Sequence, residues 1–187
     1  MKRVFVLIGD SGVGKTRIAN YLQDNYQMQR VVTHTTRKPR KHERDGIDYH
    51  FEKNLPKDFI EHTNYAGNDY ASYQRDLDKA WKKSNNAVIV LDTFGASQYS
   101  STFGKQAVVI RVTASRAETE HRMENRGDSK DEIMKRLIGF LRRQSVIDRL
   151  KSELNITQPI HHLKNDNWKD AKKQLRKIVR EVLYDRT

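Results

Sequence analysis

Apolar positions along the chain follow two periods. Four short runs, at residues 3–8, 31–36, 87–91 and 107–112, are dense in apolar and mostly β-branched side chains. The first, third and fourth lack the polar alternation of a strand with one wet face. They predict strands buried on both faces, in a parallel sheet covered by helices. Elsewhere the spacing is helical. Trp168, Ala171, Leu175, Ile178 and Val182 recur at steps of three and four, behind Asp166 or Asn167 as a cap. Lys172, Lys173, Arg176, Lys177 and Arg180 fall largely off that stripe. Asp128 and Ser129 are candidate caps for a second helical pattern over about 130–150, with Ile133, Leu137, Phe140 and Leu141 apolar. Strands alternating with helices predict an α/β, doubly wound fold.

Residues 33–86 break this rhythm. They hold two of the three prolines, several tyrosines and no long apolar run. They read as an excursion from the core: short strands, then a helix near 72–83. The core itself falls to residues 1–32 and 87–187.

Composition narrows the function classes. Lys plus Arg is 36 against 24 Asp plus Glu, a formal net charge of +12 over 187 residues. Leu, Ile, Val and Phe make up about 23% of the chain, just above the roughly 20% below which a charged chain struggles to fold. One thin core is expected, with a charged surface and anionic partners, polyphosphate or nucleic acid. The chain has no cysteine, which excludes disulfides, thiol nucleophiles and Cys-based zinc sites. No apolar run approaches the ~18 residues of a membrane span, and the run at 4–8 is too short for a signal peptide. The expectation is a cytoplasmic protein without membrane contact.

The sharpest motif is Gly9-Asp10-Ser11-Gly12-Val13-Gly14-Lys15-Thr16, which matches G-x-x-x-x-G-K-[ST]. A buried-type strand ends at Ile8, and Thr16 opens a pattern with Ile18, Ala19 and Leu22 at helical spacing. Glycines let the backbone wrap a phosphate with successive N–H groups pointing inward, and the helix behind directs its positive end at the anion. Lys15 would reach the outer phosphates and the Thr16 hydroxyl would ligate Mg²⁺. Asp92 ends the run at 87–91, beside where this loop should lie. It would either orient Mg²⁺ through water or merely cap the following turn.

The segment from Thr33 to Phe51, with Thr35-Thr36-Arg37-Lys38-Pro39-Arg40, Glu43, Gly46 and Asp48-Tyr49-His50-Phe51, resembles the signature of the guanylate kinases. The resemblance continues through Phe59-Ile60-Glu61, Gly67-Asn68-Asp69-Tyr70-Ala71-Ser72 and Asn125-Arg126-Gly127. It ends with arginines at Arg122, Arg126 and Arg136. It implies a P-loop NTPase core, a lobe at 33–86 that binds a nucleoside monophosphate, and a helical lid at 119–139.

The residues fit that implication. Arg37 and Arg40, with hydroxyls from Tyr49 and Tyr70, suit a phosphate monoester, because guanidinium forks match a tetrahedral dianion. By the resemblance Glu61 would read the two adjacent N–H donors of guanine, with Thr33 on the neighbouring carbonyl oxygen and Ser72 as a further contact. Glu43 and Asp92 join this acceptor set. Lys15, Arg122, Arg126 and Arg136 would neutralise the phosphates, and Asn165, in Asn165-Asp166, would lie near the adenine of ATP. The implied reaction is MgATP + GMP ⇌ ADP + GDP. The acceptor is already mostly dianionic at pH 7, its second pKa being about 6, so positioning and charge neutralisation suffice.

Part of the pattern departs from the family. Where members commonly carry Asp-x-Asp, this chain has Asp92-Thr93-Phe94 and is about two residues shorter. Asp69 stands where tyrosine is usual, and Ala71 where glycine is. The alternatives are the same chemistry on another monophosphate, a non-catalytic guanylate-kinase-like interaction module, and a nucleic-acid-binding NTPase. No base-stacking aromatic set or nucleic-acid motif supports the last.

Overall fold

A computed structural model describes residues 1–40, 43–65, 67–134, 136–137 and 158–184. Strand β1 (Arg3–Ile8) lies at the centre of a five-stranded sheet with β2 (Gln29–Arg30), β7 (Asn86–Val90), β8 (Ala107–Thr113) and β9 (His161–Lys164). The order is β2-β7-β1-β8-β9 and every neighbouring pair is parallel. A strand covered on both faces has no wet side to alternate toward, which explains the continuous apolar runs. Phe5 and Leu7 face α1 (Lys15–Tyr26) and α6 (Trp168–Leu183), packing with Ile18, Leu22, Leu175 and Val179. Val4, Val6 and Ile8 face α2 (Gln74–Lys83) and α3 (Thr93–Phe103), meeting Leu77, Trp81, Ala96 and Tyr99. Each such side chain contributes roughly 1.5–3 kcal/mol on burial. The stripe expected on α6 is the buried one, and Asn167 caps it by accepting from the Lys169 and Asp170 amides at 2.8 and 3.3 Å.

The run at 31–36 is not one strand. Val31 donates its amide to the Val88 carbonyl at 2.9 Å and closes the register of the first sheet. Three residues on, β3 (His34–Thr35) has entered a second sheet with β4 (His50–Phe51), β5 (Phe59–Tyr65) and β6 (Asn68–Tyr73), in the order β4-β3-β6-β5. Ser72 therefore belongs to β6, and the helix expected near 72–83 begins at Gln74. Helix α2 returns to the core through Leu77, Ala80 and Trp81, whose Nε1 donates to the Arg3 carbonyl at 3.0 Å.

Strand β9 is absent from the sequence reading. It sits at the sheet edge with only Leu163 buried, so its apolar signal is one residue deep. Helix α4 (Arg116–Asn125) and a helix α5 (130–134 and 136–137) pack on each other through Met123, Ile133 and Leu137. The rest of the helix expected over 130–150, and residues 138–139 of the expected lid, lie outside the described residues. No helix among the described residues is long and apolar enough to cross a membrane.

Candidate active site

The loop between β1 and α1 is shaped by close approaches that only glycine permits. Gly9 has φ 141°, and a β-carbon there would lie 2.2 Å from the Val112 carbonyl oxygen. Gly14, with φ 95°, precedes α1, and its β-carbon would meet Asn165 Nδ2 at 2.4 Å. The loop so held turns the first amides of α1 outward, where an anion complements the helix dipole. Lys15 folds back along it and donates to the Gly9 and Asp10 carbonyls at 2.6 and 2.7 Å. Thr16 is exposed at the start of α1, and Val13 is buried in the core.

Two predicted donor-side residues brace this loop from behind. The Asn165 side-chain amide donates to the Val13 carbonyl at 2.7 Å from a site only 1% exposed. Arg122 donates to the same carbonyl at 3.1 Å, to the Asn165 carbonyl at 2.7 Å and to Glu118 at 2.8 Å. Arg126 and Arg136 lie nearer the mouth. Arg136 donates from one nitrogen to Ser11 Oγ at 3.2 Å and to Asp128 Oδ2 at 2.7 Å, and Arg126 also pairs with Asp128.

Opposite stands the arginine loop. Arg37 donates to the Tyr70 hydroxyl at 3.2 Å and to Glu43 at 3.0 Å, with its guanidinium 5.2 Å from the centre of the Tyr49 ring. Arg40 reaches Glu43 through its guanidinium at 3.2 Å and its amide at 2.9 Å. Burial is the largest influence on Glu43 and pushes its pKa up, but the Arg40 amide and the two guanidinium groups outweigh it and hold the carboxyl low. Burial likewise raises the Tyr49 phenol. The two loops approach each other at Arg136, which is bonded to Ser11: burial lowers its pKa most, and the nearby Arg40 charge adds to that.

Between them the second sheet presents a polar face. Register pairs Glu61 with Ser72 and Thr63 with Tyr70, so these four share one side of the β5–β6 ribbon. Glu61 is 2% exposed, and its Oε1 has no hydrogen-bond partner. Burial, reinforced by the Asp92 charge and partly offset by Ser72, pushes its pKa up to about 8. The Ser72 hydroxyl is held by the Tyr99 hydroxyl at 2.9 Å. Thr33 is buried beside this face, and its carbonyl accepts from the His50 amide at 2.9 Å.

Asp92 caps α3: its Oδ1 accepts the Gly95 amide at 2.8 Å and the Thr63 hydroxyl at 3.4 Å. Asp69 is on the opposite side of the ribbon, paired with Asn64, and accepts from Asn64 and His62 at 2.9 and 3.1 Å. It therefore does not replace the second carboxylate lost after Asp92. Phe94, where that carboxylate is expected, is 59% exposed.

Comparison with known proteins bears on this arrangement directly. The family model described as guanylate kinase matches residues 1–182. The chain belongs to the guanylate kinase family. The guanylate kinase of Fusobacterium nucleatum is 28% identical over 171 residues, spanning 86% of this chain and 92% of that protein. That of Prochlorococcus marinus strain MIT 9312 is 31% identical over 146 residues, 72% of this chain and 78% of the relative. In three dimensions the chain is similar to the crystal structure of guanylate kinase from Anaplasma phagocytophilum, with a TM-score of 0.64 at 21% identity. That match covers 98% of this chain and 87% of that one.

The family resemblance found in the loop sequences thus extends to the whole fold. Sequence reasoning passed over two side chains beside the site. Asp128 read as a helix cap, and Tyr99 was not singled out. The signal for Asp128 was its place between Arg126 and Arg136.

Proposed function

We propose that the protein transfers the γ-phosphoryl group of ATP to GMP. The observation that carries this reading is the contact of Arg136 with Ser11 of the phosphate loop while Arg136 is electrostatically coupled to Arg40 of the arginine loop. An anion seat of main-chain amides and one of guanidinium forks then flank a single space, as in-line transfer requires.

In this reading residues 33–73 with their sheet form the acceptor lobe within the 33–86 excursion, and α4–α5 form the lid. Arg37, Arg40, Tyr49 and Tyr70 bind the GMP phosphate, and Glu43 keeps the two arginines together. Glu61, Ser72 and Thr33 take the guanine edge. Oε1 of Glu61 fits that role, because a buried carboxylate oxygen without a partner costs free energy until a donor arrives.

An oxygen of the GMP phosphate attacks the γ-phosphorus, the bond to the β-phosphate oxygen breaks, and ADP leaves with the electron pair. Lys15, Arg126 and Arg136 stabilise the charge on the transferred group, and Asn165 and Arg122 keep the loop rigid under it. Thr16 and Asp92 carry the hard oxygen donors that suit Mg²⁺, Asp92 through water. Bound with ATP, such an ion would neutralise phosphate charge.

One observation favours a second reading, the same chemistry on another purine monophosphate: exposed Phe94 occupies the place of the second guanine-reading carboxylate. A coupled assay with GMP, dGMP, IMP, AMP and UMP in competition separates the two. GMP is expected to give the highest kcat/KM, Lys15→Ala to lower kcat, and Arg37→Ala to raise KM for GMP. No turnover of any nucleoside monophosphate would sink both readings.

A further inference from the structure

Among the described residues, two carboxylates each gather a pair of arginines. Glu43 does so in the arginine loop, through Arg37 and Arg40. Asp128 does so at the junction of α4 and α5, and its backbone is pinned from both sides. Gly127, with φ 83°, donates its amide to the Glu124 carbonyl at 2.8 Å, and the Asp128 amide donates to Met123 at 3.1 Å. That pair of bonds closes α4 in the manner of a Schellman motif.

The cap of α5 is supplied by the next residue. Ser129 Oγ accepts the Glu132 amide at 3.3 Å, and the Glu132 carboxylate accepts the Ser129 amide at 3.1 Å, a capping box. The Asp128 side chain is therefore not needed as a cap. It is 7% exposed and points into the arginines. Oδ1 accepts from Arg126 Nε at 3.0 Å, and Oδ2 accepts from Arg126 Nη2 and from Arg136 Nη1, the latter at 2.7 Å.

We infer that Asp128 is a positioning residue for phosphoryl transfer: its carboxylate holds Arg126 and Arg136 together beside Ser11 and Arg40, where the transferred group must pass. This rests on the reading of the two lid arginines as phosphate ligands. Asp128 is the carboxylate bonded to both Arg126 and Arg136, while Glu43 pairs with Arg40 and Glu132 adds a weaker countercharge at Arg136. Without the Asp128 countercharge, Arg126 and Arg136 would repel each other and Arg40. The pKa directions agree with this geometry. Arg136 is depressed first by burial and then by Arg40 and Arg126, with Asp128 opposing. For Asp128 burial is the largest influence and pushes upward, but the bonds and charges of Arg126, Arg136 and Arg40 hold it low. The surplus positive charge remains for a phosphoryl group.

The test is a mutant cycle on the full chain, read as kcat and KM for both substrates. Asp128→Asn should lower kcat by about 10- to 50-fold while both KM values stay within about threefold, because the loss falls on arrangement in the transition state. In an Arg126→Ala/Arg136→Ala background the same change should cost less than about twofold, since Asp128 acts only through those arginines. Wild-type kcat in Asp128→Asn, or an equal loss in the arginine-less background, overturns the inference. Should Asp128→Asn lower the melting temperature, Asp128→Glu decides: it keeps the charge and should exceed the Asn variant's kcat by at least about threefold. Equality of the two overturns the proposal. If Arg126→Ala and Arg136→Ala leave kcat unchanged, the phosphate-ligand reading fails as well, and that outcome is distinct from loss at the arginines alone.

Discussion

The main chain of Gly95 lies against the carboxylate of Glu61: a β-carbon at Gly95 would sit 3.1 Å from Oε2 and 3.4 Å from Cδ. Gly95 is in the first turn of α3, and its amide is the one that Asp92 accepts. Helix capping and the base reading proposed for Glu61 are thus built on the same few atoms. Gly95→Ala should favour the helix backbone by up to about 1 kcal/mol while displacing Glu61 by a few tenths of an ångström. The expected result is a several-fold higher KM for GMP with KM for ATP unchanged, from steady-state kinetics with each substrate varied. An unchanged KM for GMP would separate Glu61 from the acceptor site.

Glu61 also makes a pH prediction. Its pKa of about 8 means that the folded state holds a proton there which the unfolded chain gives up near 4.5. Stability contributed by the protonated carboxyl is full below the unfolded value and falls as pH rises toward 8, by at most roughly 1.4 kcal/mol for each pH unit. Glu61→Gln should therefore gain melting temperature relative to wild type as pH rises from 5 to 9. Guanine offers two N–H donors, so only the ionised carboxylate accepts both. KM for GMP should fall between pH 6.5 and 8.5 in the wild type, and this dependence should flatten in Glu61→Gln. Parallel pH profiles would assign the titration to another group.

How much of this could be read from the chain depends on whether partners are close in sequence. The phosphate loop was fully legible, because strand, glycines, lysine and helix follow one another without a break. The central strands were legible because burial on both faces removes polar alternation. Arg37, Arg40 and Glu43 were legible because the arginine loop is a contiguous motif. The run at 31–36 misled, since hydrophobicity does not encode which of two sheets a residue joins. Asp128 was misread for a similar reason: beside Ser129 it looks like a cap, and its partner Arg136 is a helix away. The opposed faces of Asp69 and Glu61 follow from the regular β5–β6 register that pairs Glu61 with Ser72 and Asn64 with Asp69.

The phosphate loop gives a sharper test than removal of Lys15. Gly14 combines a left-handed backbone with the 2.4 Å approach to Asn165 Nδ2. Gly14→Ala should cost about 1–2 kcal/mol from the backbone alone, and it should push Asn165 off the Val13 carbonyl. Thermal denaturation with and without MgATP reads both effects. The variant should melt lower than wild type and lose most of the shift produced by nucleotide. A full MgATP shift in the variant would mean that the loop tolerates the side chain and that the Asn165 brace is dispensable.

The last prediction concerns how the second sheet is held to the core. His34 on β3 is 5% exposed, with Nδ1 2.5 Å from Glu52 and Nε2 3.0 Å from Asp76, and it packs against His50 and Tyr73. Asp76 belongs to the first turn of α2, whose other face is buried in the core, so this contact joins the two parts of the molecule. A carboxylate thus stands at each ring nitrogen, Glu52 at one and Asp76 at the other.

For Asp76 burial is the largest influence and pushes upward, but the bonds from Lys79 and His34 outweigh it and leave the carboxyl below its ordinary value. A depressed carboxylate adds stability above its unfolded pKa, about 3.9, and loses it as pH falls through the folded value. Asp76→Asn should therefore melt lower than wild type at pH 7, by roughly 1–3 kcal/mol in unfolding free energy for a buried partner left unpaired. The gap between the two proteins should narrow as pH falls below the unfolded value, because the wild-type charge then contributes progressively less. Urea unfolding at pH 7, 5 and 3 measures the gap. A gap that persists undiminished at pH 3 would mean that packing at Asp76, rather than its charge on His34, holds the second sheet in place.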